Sequence, residues 1–156
     1  MVRRMPIDLR RAVLVTGSRN WDDPIFIRET LAETMKGTAV FLVIEGGASG
    51  ADTTAGSWAW TTCDHERFSA DWDRHGKAAG PIRNTAMRER LLDLQGQGYD
   101  VMVLAFKEGF DFRMRKGGTE NMVRQAQRVG IRCTVFGRRV TGANERERRV
   151  LAPAEV

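Results

Sequence analysis

Apolar residues gather into five short runs, separated by four longer stretches with a helical period. Arg11 to Thr16 (RAVLVT), Val40 to Glu45 (VFLVIE) and Asp100 to Phe106 (DVMVLAF) are nearly continuous and rich in Val, Ile and Leu. Such runs suit parallel strands covered on both faces. Glu66 to Ala70 (ERFSA) is a weaker strand signal, and Ile131 to Phe136 (IRCTVF) is the last. The intervening stretches carry helix punctuation. Asp23 caps the first, Pro24 sits where its missing N–H costs nothing, Ile27, Leu31 and Met35 form an inner stripe, and Gly37 ends it. The second runs from about Gly50 to Thr61, with Ala51, Ala55, Trp58 and Ala59 on one face. The third begins at Pro81 and repeats Met87, Leu91 and Leu94 before Gly96 and Gly98. The fourth starts near Gly118, presents Met122, Ala126 and Val129, and stops at Gly130.

Strands alternating with helices imply parallel pairing through right-handed crossovers. The expected fold is therefore a Rossmann-like three-layer αβα domain with a five-stranded parallel sheet in the order 3-2-1-4-5. Its crevice should lie beyond the carboxyl ends of strands one and four, where the winding reverses. The domain is expected over residues 11–137, with an N-terminal extension at 1–10 and an Arg-rich tail at 138–156. That tail, with Arg138, Arg139, Arg146, Arg148 and Arg149, reads as a solvated charged end.

Composition narrows the classes. The chain has 156 residues, enough for one domain with a real core. No apolar run approaches the ~20 residues of a membrane span, and no apolar segment follows the basic N-terminus as in a secretion signal. A cytoplasmic location and no membrane partner are the resulting expectations. Cys63 and Cys133 are far apart, in no C-x-x-C pair, and read as buried thiols. No Cys/His cluster suggests a metal, and no resident cofactor is implied. The net charge of +5 permits anionic partners, nucleic acid included, though the tail lacks the interleaved aromatics of a stacking platform.

The informative chemistry sits at strand ends. After the first strand come Gly17, Ser18 and Arg19: a tight turn, a hydroxyl donor and a charged fork. After the second come Glu45, Gly46, Gly47, Ala48, Ser49, Gly50, Ala51 and Asp52. Glycines before a helix build an anion seat from free N–H groups and the positive end of the dipole. This is not a Walker A sequence, and the G-x-G-x-x-G dinucleotide fingerprint is absent after the first strand. Asp52, in the first helical turn, either pairs with the helix dipole or makes a loop hydrogen bond, or contacts a ribose hydroxyl or a bound cation. After the third strand, residues 70–84 hold Asp71, Trp72, Lys77, Arg83 and Asn84 in a long connection, a density typical of functional loops. Trp72 is a candidate base-stacking ring or a packed lid, and Lys77 a candidate phosphate contact. His75 reads as solvated. After the fourth strand, Gly117 and Gly118 again precede a helix, and Thr119 adds a hydroxyl.

Four strings carry a resemblance: V-T-G-S-R-x-W, E-G-G-A-x-G-A-D, A-D-W-x-x-x-G-K-A-A-G-P-x-R-N-x-x-M and G-G-T-x-x-M. In this order and spacing they resemble the YspA/YpsA-related branch of the SLOG superfamily, which also contains the SMF/DprA proteins and the LOG phosphoribohydrolases. The resemblance covers almost all of residues 12–137. It implies a Rossmann-like nucleotide-binding domain that senses or processes nucleotide-derived ligands, often in phage or mobile-element settings, and commonly a homodimer. LOG enzymes carry R-K-x-x-M and P-G-G-x-G-T-x-x-E. Here Arg83-Asn84-Thr85-Ala86-Met87 looks like the first, with Asn84 for lysine. Gly117 to Met122 looks like the second, but Met122 stands at the catalytic glutamate's place and Glu120 is offset by two, roughly 200° around a helix.

The sequence thus points first to binding or sensing of a nucleotide-derived phosphate ligand, through Gly17, Ser18, Arg19, Gly46, Gly47, Gly50, Asp52, Trp72, Lys77, Arg83, Asn84, Gly117, Gly118 and Thr119. Two alternatives stand beside it. One is LOG-like hydrolysis of an N-glycosidic bond, whose oxocarbenium-like transition state needs a carboxylate from Glu45, Asp52 or Asp71, with Arg83 on the phosphate. The other is DprA-like single-stranded nucleic-acid binding.

Overall fold

The computed structural model describes residues 8–141 and 145–153. The extension expected at 1–10 falls mostly outside the described residues, as do parts of the expected tail. Six strands form one sheet: β1 (Arg10–Gly17), β2 (Val40–Glu45), β3 (Asp64–Arg67), β4 (Asp100–Phe106), β5 (Cys133–Arg139) and β6 (Arg146–Leu151), in the order β3-β2-β1-β4-β5-β6. The first five are parallel, and β6 runs antiparallel to β5. The helices are α1 (Pro24–Met35), α2 (Ala51–Thr62), α3 (Trp72–His75), α4 (Ala79–Gly96) and α5 (Gly118–Arg128). The fold is the Rossmann-like α/β class read from the sequence, with one strand added.

Alternation along the central strands builds both layers. Val13, Val15, Val43 and Leu104 face α1 and α2, whose Ile27, Leu31, Ala51 and Ala55 close that core. Leu14, Ile44, Val103 and Ala105 face α4 and α5, where Met87, Leu91, Met122 and Ala126 complete the other. Both faces are therefore apolar, which is why the central strands read as unbroken runs.

Three elements differ from expectation. β3 lies at 64–67 rather than 66–70. This polar edge strand has no hydrophobic run to mark it. Its place is held by Glu66 pairing with Arg90 on α4 at 2.9 Å and by Arg67 pairing with Glu45 at 2.8 Å. The stretch after it is not an open loop: Asp71 caps α3 by accepting from the Arg74 N–H, and a 3-10 turn at Gly76–Ala78 leads directly into α4.

The third difference is the tail. Residues 146–151 are not a solvated end but pair with Cys133 to Arg139. Arg146 is buried and holds the hairpin down. Its guanidinium bonds Asp23 at 3.0 Å and Glu108 at 2.7 Å and lies 4.3 Å over the Trp21 ring. Charged side chains on an outer strand also discourage edge-to-edge pairing with another chain, which suits its position. Cys133 is buried as expected, whereas Cys63 is only partly so. Burial pushes the two thiols up to about 12 and about 11 respectively, so both stay protonated at neutral pH.

Candidate functional site

β1 is bonded to β2 on one side and to β4 on the other, so the switch point lies between β1 and β4. A cavity of about 500 Å³ opens there. The β1 turn contributes Thr16, Gly17, Ser18 and Arg19, and α2 with its preceding loop contributes Asp52 and Ala48. From the α3–α4 side come Trp72, Lys77, Gly80, Pro81 and Arg83. The remaining wall is Lys107 after β4, then Arg115 to Thr119 and Asn121 at the start of α5.

The β1 turn is locked by close packing. The Ser18 N–H donates to the Phe106 carbonyl at 2.9 Å, and the Ser18 carbonyl accepts from the Trp21 and Ala51 amides, both at 3.3 Å. A Cβ on Gly17 would strike the Phe106 carbonyl oxygen and lie 2.7 Å from the Ala51 Cβ. Gly17 therefore brings β1, β4 and α2 together. Gly17→Ala is expected to lower stability by about 1–3 kcal/mol, the usual range for overpacking. A chemical-denaturation curve indistinguishable from wild type would refute this role for Gly17.

The β2 loop is built differently from the sequence expectation of an open anion seat. Three of its amides are already taken. Asp52 Oδ2 accepts from the Gly46 and Ala48 N–H groups at 3.1 and 3.4 Å, and Glu45 Oε1 accepts from Gly47 N–H at 2.8 Å. Gly46 instead makes room for Arg83: a Cβ there would stand 2.9 Å from the Arg83 Nε. Gly47 and Gly50 have φ of +76° and +82°, which side-chain-bearing residues rarely adopt. None of Gly46, Gly47 and Gly50 lines the cavity; they shape the loop that supports it.

The proposed carboxylates separate in the same way. Glu45 is wholly buried behind the loop, where Arg67 Nε reaches both its oxygens at 2.8 and 3.0 Å and His65 stands 3.4 Å away. Asp71 is spent on the α3 cap. Neither reaches the cavity, and Asp52 is the acidic side chain that does. Burial raises the Asp52 carboxyl to about 7; Arg83 and the two loop amides pull it down, and Glu45 pushes it further up.

Arg83 is half-buried at the foot of the cavity. Its Nη1 donates to the Gly46 carbonyl at 3.0 Å and its Nε to Asn84 Oδ1 at 3.3 Å. Burial holds it below its usual pKa, opposed by Asp52 and assisted by Arg19. Asn84 does not line the cavity either. Its Nδ2 donates to the Gly118 carbonyl at 3.1 Å and to Asn121 Oδ1 at 3.0 Å, so it ties Arg83 to the start of α5. Trp72 is half-exposed on the rim, with the Arg19 guanidinium 6.0 Å from its ring.

At α5 no side chain caps Gly117, and the Asn121 N–H donates to the Gly117 carbonyl at 2.9 Å. The first amides of a helix have no partner within it. Gly117, Gly118 and Thr119 at this helix start line the cavity. Met122, at the position of the LOG glutamate, is fully buried in the core. Glu120 is buried below Gly117 and bound by Lys107 at 2.7 and 2.8 Å.

Sequence reading thus finds Gly17, Ser18, Arg19, Asp52, Trp72, Lys77, Arg83, Gly117, Gly118 and Thr119 at the cavity, and misses Lys107, Arg115, Lys116 and Asn121. The missed cations lie in the segment between the end of β4 and the start of α5. Their signal is its unbalanced charge: Arg113, Arg115 and Lys116 precede two glycines at a helix start. Among the described residues, Arg19, Lys77, Arg83, Arg115 and Lys116 form no ion pair with a carboxylate.

A doubly wound sheet with a cation-lined hollow at its switch point and an uncapped helix start in the wall defines a Rossmann-like domain. A family model described as "YspA, cpYpsA-related SLOG family" (YAcAr) matches residues 11–75. The chain is also 38% identical over 134 residues to "Gene 61 protein" of Mycobacterium phage D29, spanning 81% of this chain and 97% of that protein. The chain belongs to the YspA, cpYpsA-related SLOG family. Membership supports a nucleotide-related role in general terms, and the phage relative fits the phage setting that the family resemblance implies. Among the described residues, no helix is long and apolar enough to cross a membrane.

Proposed function

We propose that this domain binds a nucleotide-derived phosphate compound in the cavity at the β1–β4 switch point. One observation carries the reading: six cationic side chains line the hollow against a single acidic one, Asp52, and among the described residues Lys107 alone of the six is paired with a carboxylate. An anion is the partner that relieves this imbalance. The α5 amides and the Thr119 and Ser18 hydroxyls suit phosphate oxygens. Trp72 on the rim suits a base or sugar face, and 500 Å³ lies within the span of small-molecule sites.

The test is a thermal-shift screen with AMP, ADP-ribose, cyclic dinucleotides and inorganic phosphate. Ligand at about 100 times its Kd should stabilise the fold by about 2.7 kcal/mol. No shift with any phosphate compound, at concentrations well above millimolar, would remove the proposal.

A second reading rests on Asp52. A buried carboxyl titrating near neutrality beside an arginine is suited to general acid or base work. In a LOG-like hydrolysis it would stand in for the glutamate replaced by Met122, while Arg83 held the phosphate. Chromatographic detection of free adenine from AMP, lost in Asp52→Asn, would establish this activity. Intact AMP alongside measurable binding would leave binding as the function.

A further inference from the structure

We infer that the arginine-rich hollow between the β4–α5 loop and α5 docks an acidic segment of a partner protein, with one apolar side chain of that segment seated against Phe112. This surface lies beside the phosphate cavity and does not depend on it. The observation is a second hollow, also about 500 Å³, lined by Phe112, Arg113, Arg115, Arg124 and Arg128. Four of these five residues are arginines, and no carboxylate lines the hollow. Phe112 is exposed, as is Met114 in the same loop.

Uncompensated charge sets the chemistry of the partner. Arg113 pairs with Asp111 at 3.3 Å, an exposed contact of a kind worth little. Arg115, Arg124 and Arg128 have no carboxylate partner among the described residues. Arg124 is already held in place, because its Nη2 donates to the Met114 carbonyl at 2.6 Å and so fastens the loop to α5. Arg124 and Arg128 stand four residues apart on α5, about 6 Å along its axis. Carboxylates at i and i+4 on a partner helix repeat at that same spacing, and a guanidinium grips a carboxylate through two parallel hydrogen bonds. Clustered arginines are a recurring way of recognising acidic segments.

Phe112 decides between an acidic peptide and other polyanions. Its ring leans on buried Phe110, with centroids 6.3 Å apart and planes tilted by 55°, so the fold backs it while it stays exposed. A fixed apolar face among four arginines suits an aliphatic side chain flanked by carboxylates, the pattern of an apolar centre with a charged rim. A nucleic-acid strand would need a succession of ring faces to stack on, and this hollow is lined by one. A small inorganic anion would leave the ring unused.

The test is fluorescence anisotropy of the full chain with a labelled amphipathic peptide that carries glutamates at i and i+4 around a leucine. One control peptide has glutamines for the glutamates, another has serine for the leucine, and labelled tetrathymidylate stands for nucleic acid. Wild type should bind the acidic peptide, more weakly as salt rises, because exposed charges are screened. Arg113→Glu/Arg128→Glu should lose at least about tenfold in affinity, since reversal sets like charges against each other. Both positions are exposed, so the fold should be retained, and a melting curve checks this. Arg113→Gln/Arg128→Gln is the milder pair and should weaken binding in the same direction. Phe112→Ala should weaken the leucine peptide and leave the serine control unchanged. No binding of the acidic peptide to wild type, equal binding of the glutamine control, or a folded double variant that binds like wild type would each overturn the inference. Tetrathymidylate binding more tightly than the acidic peptide, and lost in the double variant, would also overturn it by making the hollow a nucleic-acid surface. None of these outcomes touches the phosphate cavity, which Phe112, Arg113 and Arg128 do not line.

Discussion

Asp52→Asn is expected to make the protein more stable above pH 8, by about 2–4 kcal/mol, and to leave it nearly unchanged below pH 4. Proton linkage sets the sign. An unfolded aspartate ionises near its ordinary value of 3.8, whereas burial keeps the folded Asp52 protonated to about 7. Between those values the folded state holds the extra proton, so stability from this group falls as pH rises. The penalty is complete once pH exceeds the folded value. A tenfold difference in acidity between the two states corresponds to about 1.4 kcal/mol. Asparagine is similar in shape and can present an oxygen to the Gly46 and Ala48 amides, so it mimics the protonated form. Urea denaturation at several pH values checks this: the wild-type curve should descend relative to the variant across pH 4–7. Parallel curves would show that Asp52 ionises normally.

The same titration bears on ligand affinity. At pH 8 the wild-type cavity contains a carboxylate that repels phosphate, and the asparagine variant does not. Phosphate binding should therefore be tighter in the variant at pH 8 and equal at pH 5. Wild type should also take up protons on binding near pH 7. Hydrolysis, if present, would respond in the opposite sense, since removing the carboxylate would lower turnover. Binding and catalysis are thus separable at one residue.

How far the sequence reaches is clearest in the glycines. Gly117 and Gly118 before α5 are legible as an open helix start, because no capping side chain stands at position 117. The glycines after β2 have the same appearance and a different use. Whether an amide is free depends on which carboxylates fold back onto it, and Glu45 and Asp52 do so through side-chain geometry that spacing does not encode. The core strands are legible because both sheet faces are covered. β3 and β6 are not. Each is polar and lies at a sheet edge, and each is held by ion pairs across long stretches of chain, such as Arg146 with Asp23. Asn84 shows a third limit. It reads as a ligand contact because it sits beside Arg83, yet its amide is wholly engaged in joining α4 to α5.

That junction makes Arg83 the cation with the largest expected effect on binding. It is held from two sides, by the Gly46 carbonyl and by Asn84, while facing a cavity that already contains Arg19 and Lys77. A cation preorganised in this way loses little further side-chain freedom when an anion arrives. Arg83→Ala should weaken phosphate binding by about 2–5 kcal/mol, the range for truncating one partner of a desolvated charge pair. In affinity this is roughly thirtyfold to several thousandfold. Arg83→Lys should recover only part of the loss, because an ammonium cannot keep both anchoring bonds and also present a fork. Stability should fall by about 1–2 kcal/mol, from the two lost hydrogen bonds to the Gly46 carbonyl and to Asn84 Oδ1. Calorimetry with AMP and ADP-ribose, alongside a melting curve, distinguishes these effects. A folded Arg83→Ala protein that binds both compounds like wild type would move the phosphate site away from the β1–β4 switch point.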